Sequence, residues 1–149
     1  MKLALDHIDN EDIFRSCINS YISTARSVTF VMEKESSKNP ELKSWYKTQM
    51  AALGQLPLMR FFHEQRTHTI HRGIVKPNSK RIPVYNLIVN GEKKAGTAEA
   101  WAWYFPDAKN YMSGDNGNVP RLCEQYFLIL KRLVYEWLQQ KARLEPNDA

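Results

Sequence analysis

A chain of 149 residues is one ordinary domain, long enough to bury a core without disulfide or metal staples. Its apolar share of 43% and charged share of 25% are those of a soluble globular protein, and no stretch approaches a membrane span. The net charge of +5 makes anionic partners the natural class to consider. Two cysteines, Cys17 and Cys123, each fall on an apolar stripe and are expected as small core residues of a reducing compartment, not as a disulfide. The start, MKLALDHIDN, lacks the long apolar stretch of a signal peptide, so the expected location is cytoplasmic.

Residues 10–35 read as a long first helix. Ile13, Phe14, Cys17, Ile18, Tyr21, Ile22, Ala25, Val28 and Met32 recur at three- and four-residue steps, and Asn10 is placed to cap the start. A second helix begins at Pro40 behind the cap Asn39 and carries Leu42, Trp45, Tyr46, Met50 and Leu53 toward Gly54. A third runs from Leu56-Pro57 through Leu58, Met59, Phe61, Phe62, Gln65 and Ile70 to a stop at Gly73.

The segment 74–83, with two prolines, reads as a loop, and 84-VYNLIV-89 as a strand. Asn90-Gly91 opens a turn, and 98-AEAWAWYF-105 returns as the second strand of a hairpin. Trp101, Trp103 and Phe105, spaced by two, are expected to pack on the helices. Asn118 caps a last helix in which Leu122, Cys123, Tyr126, Phe127, Leu130, Leu133, Val134, Trp137 and Leu138 keep helical spacing as far as Leu144. The fold class expected is mainly α, a single domain of three helices, an inserted β-hairpin and a long C-terminal helix. No cofactor is expected.

The densest chemistry lies in 61-FFHEQRTHTIHRG-73, which holds His63, His68 and His71. Zinc is not expected. His63 and His68 are five apart, so a helix turns them about 140° from one another, and the pair His68/His71 has no third ligand nearby. Asp115-Asn116-Gly117-Asn118 lacks the carboxylate series of a calcium loop. Charge is more telling. From position 60 to 81 stand Arg60, Arg66, Arg72, Lys76, Lys80 and Arg81 against the single acid Glu64. Such a cluster beside histidines suits a site that handles phosphate. Arg66 and His71 supply what metal-free RNA scission needs: an imidazole to move a proton and a fixed guanidinium to hold the charged phosphorane.

An Arg followed four residues later by His near a helix end, together with 14-FRSCINSYISTARSVTF-30, 58-LMRFFHEQRTHTIH-71 and 126-YFLILKRLVYEW-137, resembles the HEPN (higher eukaryotes and prokaryotes nucleotide-binding) family. The resemblance implies a HEPN-like helical bundle that forms a homodimer through the motif helix. It further implies a metal-independent endoribonuclease, as in toxin–antitoxin or anti-phage systems, with an antitoxin as a further partner. Arg66 and His71 would then be the catalytic pair. Thr67, His68 and Glu64 would support it, and Arg60, Arg72 and Lys76 would hold the RNA. Thr67 stands where the family usually has Asn, Asp or His, and it motivates the alternative of a non-catalytic module that binds RNA, a nucleotide or a partner protein. A winged-helix DNA binder is a third reading, disfavoured by the length of the first and last helices.

Overall fold

The computed structural model describes residues 2–71, 75–89, 92–114 and 117–144. The described residues form five α-helices, one two-stranded antiparallel sheet and a short 3-10 turn: α1 (Lys2–Asp6), α2 (Glu11–Ser36), α3 (Pro40–Leu53), α4 (Pro57–His71), β1 (Asn78–Val89), β2 (Glu92–Tyr104), the 3-10 turn (Ala108–Asn110) and α5 (Val119–Leu144). The mainly helical class, the hairpin and the long closing helix follow the expectation. None of these helices is long and apolar enough to cross a membrane.

The expected caps form. The Asn10 side chain accepts from the Ile13 N–H, Asn39 accepts from Glu41 and Leu42, and Asn118 accepts from Arg121. Each occupies orphan donors of a first helical turn. Gly54 does end α3, but in right-handed backbone, so its freedom at positive φ is not what stops the helix. The short α1 has no counterpart in the expected pattern, since five residues hold too little periodicity to read. Its Ala4 is nonetheless fully buried.

α2 and α5, of 26 residues each, run side by side in the same direction. The Tyr21 hydroxyl donates to the Cys123 carbonyl at 2.7 Å, and further along both helices the Trp137 indole N–H donates to Ser36 Oγ at 2.8 Å. One core cluster gathers Phe14, Ile18, Phe61, Phe62, Leu122 and Tyr126 with the foot of the hairpin. A second joins Met32, Leu42, Tyr46, Leu133 and Trp137 where α3 closes over the far ends of α2 and α5. The buried seam of α5 is narrower than its apolar content suggests: Phe127 and Leu138, expected among the core positions, are 53% exposed. Ile13 likewise lies outside the buried face of α2.

Both cysteines are free thiols, Cys123 buried and Cys17 half-buried. Burial pushes the Cys123 thiol up to about 12.

The sheet departs from expectation in length. Pairing runs from Asn78↔Tyr104 out to Val89↔Glu92, with an irregularity after Tyr85, so part of the expected loop 74–83 and of the expected turn is strand. Pro83 is tolerated because a two-stranded ribbon has two open edges, where a missing N–H breaks no ladder. Asn90 and Gly91 lie outside the described residues. Trp103 anchors the ribbon. It stacks on Phe14 with ring centres 4.3 Å apart, and its indole N–H donates to the Ile8 carbonyl at 2.7 Å. Phe105 is buried as expected, whereas Trp101 is half-buried under the Arg81 guanidinium. The chain enters β1 through a second clamp: Asn19 both accepts from the Val75 N–H and donates to the Val75 carbonyl, each at 2.9 Å.

Gly117 holds φ +71, and a Cβ there would stand 2.3 Å from the Phe105 carbonyl oxygen. Its own carbonyl accepts from the Phe105 N–H at 2.8 Å, tying the ribbon foot to the start of α5. Gly117→Ala is expected to cost about 1–3 kcal/mol, at the upper end because the clash is with backbone. The urea midpoint reads this, and an unchanged midpoint would show that the junction can rearrange.

Candidate functional site: a basic cavity between α2, α3 and α4

α4 has two faces of different chemistry. Leu58, Phe61, Phe62 and Gln65 turn inward. Phe62 stacks nearly parallel on Tyr126 of α5, ring centres 4.3 Å apart, and Phe61 meets Phe105 and Tyr111 edge-on. The Gln65 amide donates to Asp107 at 3.0 Å. With those contacts made, Arg60, His63, Glu64 and Arg66 line a cavity of about 920 Å³. α2 contributes Arg26, Phe30, Glu33 and Lys34 to the wall, and α3 contributes Lys43, Tyr46 and Lys47.

Six cationic side chains (Arg26, Lys34, Lys43, Lys47, Arg60 and Arg66) face two carboxylates, Glu33 and Glu64, leaving four net positive charges. Among the described residues none of the six forms an ion pair. Arg26 is held by a neutral partner instead: its guanidinium donates to Thr29 Oγ1 at 2.8 Å. The Thr29 hydroxyl donates to the Arg26 carbonyl, and the Tyr46 hydroxyl donates to the Thr29 carbonyl at 2.8 Å. The aromatic walls feel these charges. Burial raises the Tyr126 phenol above its ordinary value, while Arg26 and Arg66 pull it the other way. Burial likewise raises Tyr111, with Glu64 and Asp107 adding to the shift and Arg60 opposing it. Phe30 is 49% exposed on the cavity wall, beside the Lys34 ammonium 5.5 Å from its ring.

The residues singled out from sequence separate into three groups. Arg66, Arg60 and Glu64 come together in the cavity wall. Thr67 is half-buried, and its hydroxyl donates to the His63 carbonyl one turn back at 3.0 Å, so that donor is spent on its own helix. Lys76 is exposed and does not line the cavity. His68 and His71 belong to the backbone of α4, but their side chains lie outside the described residues, as does the whole of Arg72. His63, set aside in the sequence reading, lines the same cavity as Arg66 one turn away. The cations of α2 and α3 were missed altogether. Lys43 and Lys47, one turn apart, were the legible sign of them. No group of three metal-capable side chains gathers among the described residues.

The family model for bacteriophage lambda protein ea47 matches residues 2–82, more than half of the chain. The chain belongs to the bacteriophage lambda protein ea47 family. This overturns the HEPN resemblance: the phrases that carried it in α2 and α4 fall inside the ea47 match, and an Arg–His spacing on an amphipathic helix is too common to outweigh a match of that length. The toxin–antitoxin and defence roles, which only that resemblance implied, fall with it. No curated protein and no solved structure matches the chain. The ea47 match spans the three helices that build the cavity, and only Tyr111 and Tyr126 of its lining lie beyond it.

Phe62→Ala removes the ring that seats α4 on α5. It is expected to destabilise the fold by about 3–5 kcal/mol in a urea melt. A loss under about 1 kcal/mol would mean that the stack does not hold α4 in place.

Proposed function

We propose that this chain binds single-stranded RNA through the basic cavity. One observation carries the reading: six cationic side chains, free of ion pairs among the described residues, surround an open space flanked by aromatic rings. Holding like charges together is unfavourable unless an anion joins them. Phosphates spaced along a strand are such an anion, and Phe30 offers an exposed ring on which a base can stack. At about 920 Å³ the cavity admits one nucleotide unit, with the rest of a strand leaving along the helix surfaces. Duplex recognition is less well matched, since a concave site of this size does not follow a groove.

A second reading adds metal-independent scission. Arg66 is half-buried in the wall, where a guanidinium can hold a charged phosphorane, and α4 carries imidazoles on either side of it in His63 and His71. A neutral imidazole would take the 2′-OH proton as O2′ attacks phosphorus. The P–O5′ bond breaks, leaving a 2′,3′-cyclic phosphate and a 5′-hydroxyl that takes a proton from the imidazolium or from water.

Fluorescence anisotropy with a labelled RNA oligonucleotide in EDTA separates these readings from each other and from none. Affinity should fall steeply with salt, and Arg60→Met together with Arg66→Met should lower the slope of log K against log salt by about 1–2. Salt-independent binding, or binding indifferent to that double substitution, would overturn the cavity reading. The same mixtures run on a denaturing gel test scission. Cleavage by wild type that is lost in Arg66→Met and in His63→Ala or His71→Ala establishes it, and equal cleavage by all of them removes it.

A further inference from the structure

The six cations of the cavity do not stand at one depth. Arg26 and Arg66 are half-buried, whereas Lys34, Lys43, Lys47 and Arg60 are exposed. The floor of the cavity is the protein core itself: Ile22, Met59, Phe62 and Tyr126 line it, belong to the main core cluster and are each at most 9% exposed. The two deeper arginines come from different helices, α2 and α4, and act on that floor together. The Arg26 guanidinium stands 2.8 Å from the Thr29 hydroxyl, in a residue only 4% exposed. Both guanidiniums act on the Tyr126 phenol against the effect of its burial. Neither forms an ion pair among the described residues. The two carboxylates of the lining, Glu33 and Glu64, are exposed and so belong with the outer cations.

A half-buried guanidinium has lost part of its water, and two that face one floor repel each other. Arg26 gives an N–H to Thr29, and a guanidinium has five to give. An anion with paired oxygens satisfies both forks at once. Two kinds of phosphate in RNA differ in how they suit this place. A phosphodiester inside a strand carries one negative charge and needs two ways out, one for each neighbouring nucleotide. The core floor closes one of them. A phosphomonoester at a strand end carries about −1.5 to −2 charges at neutral pH, offers three terminal oxygens and needs a single exit. That exit runs past the exposed cations, which suit the diesters that follow. Phe30 lies one helical turn from Arg26 on the same face of α2, so a terminal base can stack there while its phosphate reaches the floor.

We propose that the cavity captures the end of an RNA strand by its terminal phosphomonoester, held between Arg26 and Arg66. This rests on the RNA-binding reading above, not on scission, and adds which part of the strand enters. The recognised chemistry is the same at a 5′ end, at a 3′ end and in a free nucleotide.

Fluorescence anisotropy on the full chain in EDTA tests it with one internally labelled RNA sequence in three forms: 5′-phosphate, 3′-phosphate, and hydroxyl at both ends. At least one phosphorylated form should bind about tenfold or more tighter than the hydroxyl form. Arg26→Met together with Arg66→Met should bring the forms to nearly equal affinity. The hydroxyl form should still bind that variant through the outer cations, which also shows it to be folded. Lys43→Met together with Lys47→Met should weaken all forms alike and keep the preference. Equal, salt-dependent binding of the three forms by wild type would overturn the proposal and leave the RNA reading standing. A preference that survives the double arginine substitution would overturn it too. If no strand binds, the RNA reading falls, and calorimetry with a nucleoside monophosphate decides the rest. Binding that is lost in the double arginine variant keeps the phosphomonoester site with a free nucleotide as its ligand, and no binding removes the site as well.

Discussion

The stacking of Phe62 on Tyr126 is the constraint on which the site depends. It joins α4 to α5 inside the main core, and it fixes the rotation of α4 about its own axis. A helix with aromatic residues at 61 and 62 bound to the interior has its residues 60, 63 and 66 set on the flank, and that flank meets α2 and α3. The cavity lies beside that flank. It is lined both by core side chains such as Ile22, Met59 and Phe62 and by charged residues of α2, α3 and α4. Tyr126 belongs to both parts, stacked on Phe62 in the core while its phenol responds to Arg26 and Arg66.

Helix boundaries were legible because they rest on local chemistry. Asn10, Asn39 and Asn118 occupy the N-terminal orphan donors that any α-helix leaves, and that needs no knowledge of the rest of the chain. The ribbon was less legible. Pro83 and the polar stretch after Gly91 argue against strand when each residue is weighed singly, but in a two-stranded ribbon both edges are open and neither feature carries a penalty. In α5 the apolar residues outnumber the buried positions, and only the packing of α2 and α4 shows that Phe127 and Leu138 fall outside the seam.

The site was half visible for a related reason. Arg60 and Arg66 were found because they are close in sequence to other cations and to histidines. Arg26, Lys34, Lys43 and Lys47 are scattered along two helices whose charges read as ordinary solvated faces, and only folding brings them to one wall. The charge that seemed to belong to one segment, residues 60–81, divides in the structure. Arg60 and Arg66 turn to the cavity, while Lys80 and Arg81 go to the ribbon foot, where aromatic rings and Glu99 engage them.

That division bears on what the protein's positive field is for. Some cations elsewhere on the surface are paired locally: Arg15 with Glu11, Lys38 with Glu35, Arg132 with Glu136. Such pairs are nearly neutral in stability and leave little net field. Around the cavity, the carboxylates Glu33 and Glu64 stand within the same lining and yet form no ion pair with the six cations among the described residues. The cavity thus gathers six such cations on one concave wall beside aromatic rings. Charge gathered on a concave wall acts on one space from several sides, which a charge spread evenly over an open surface does not do.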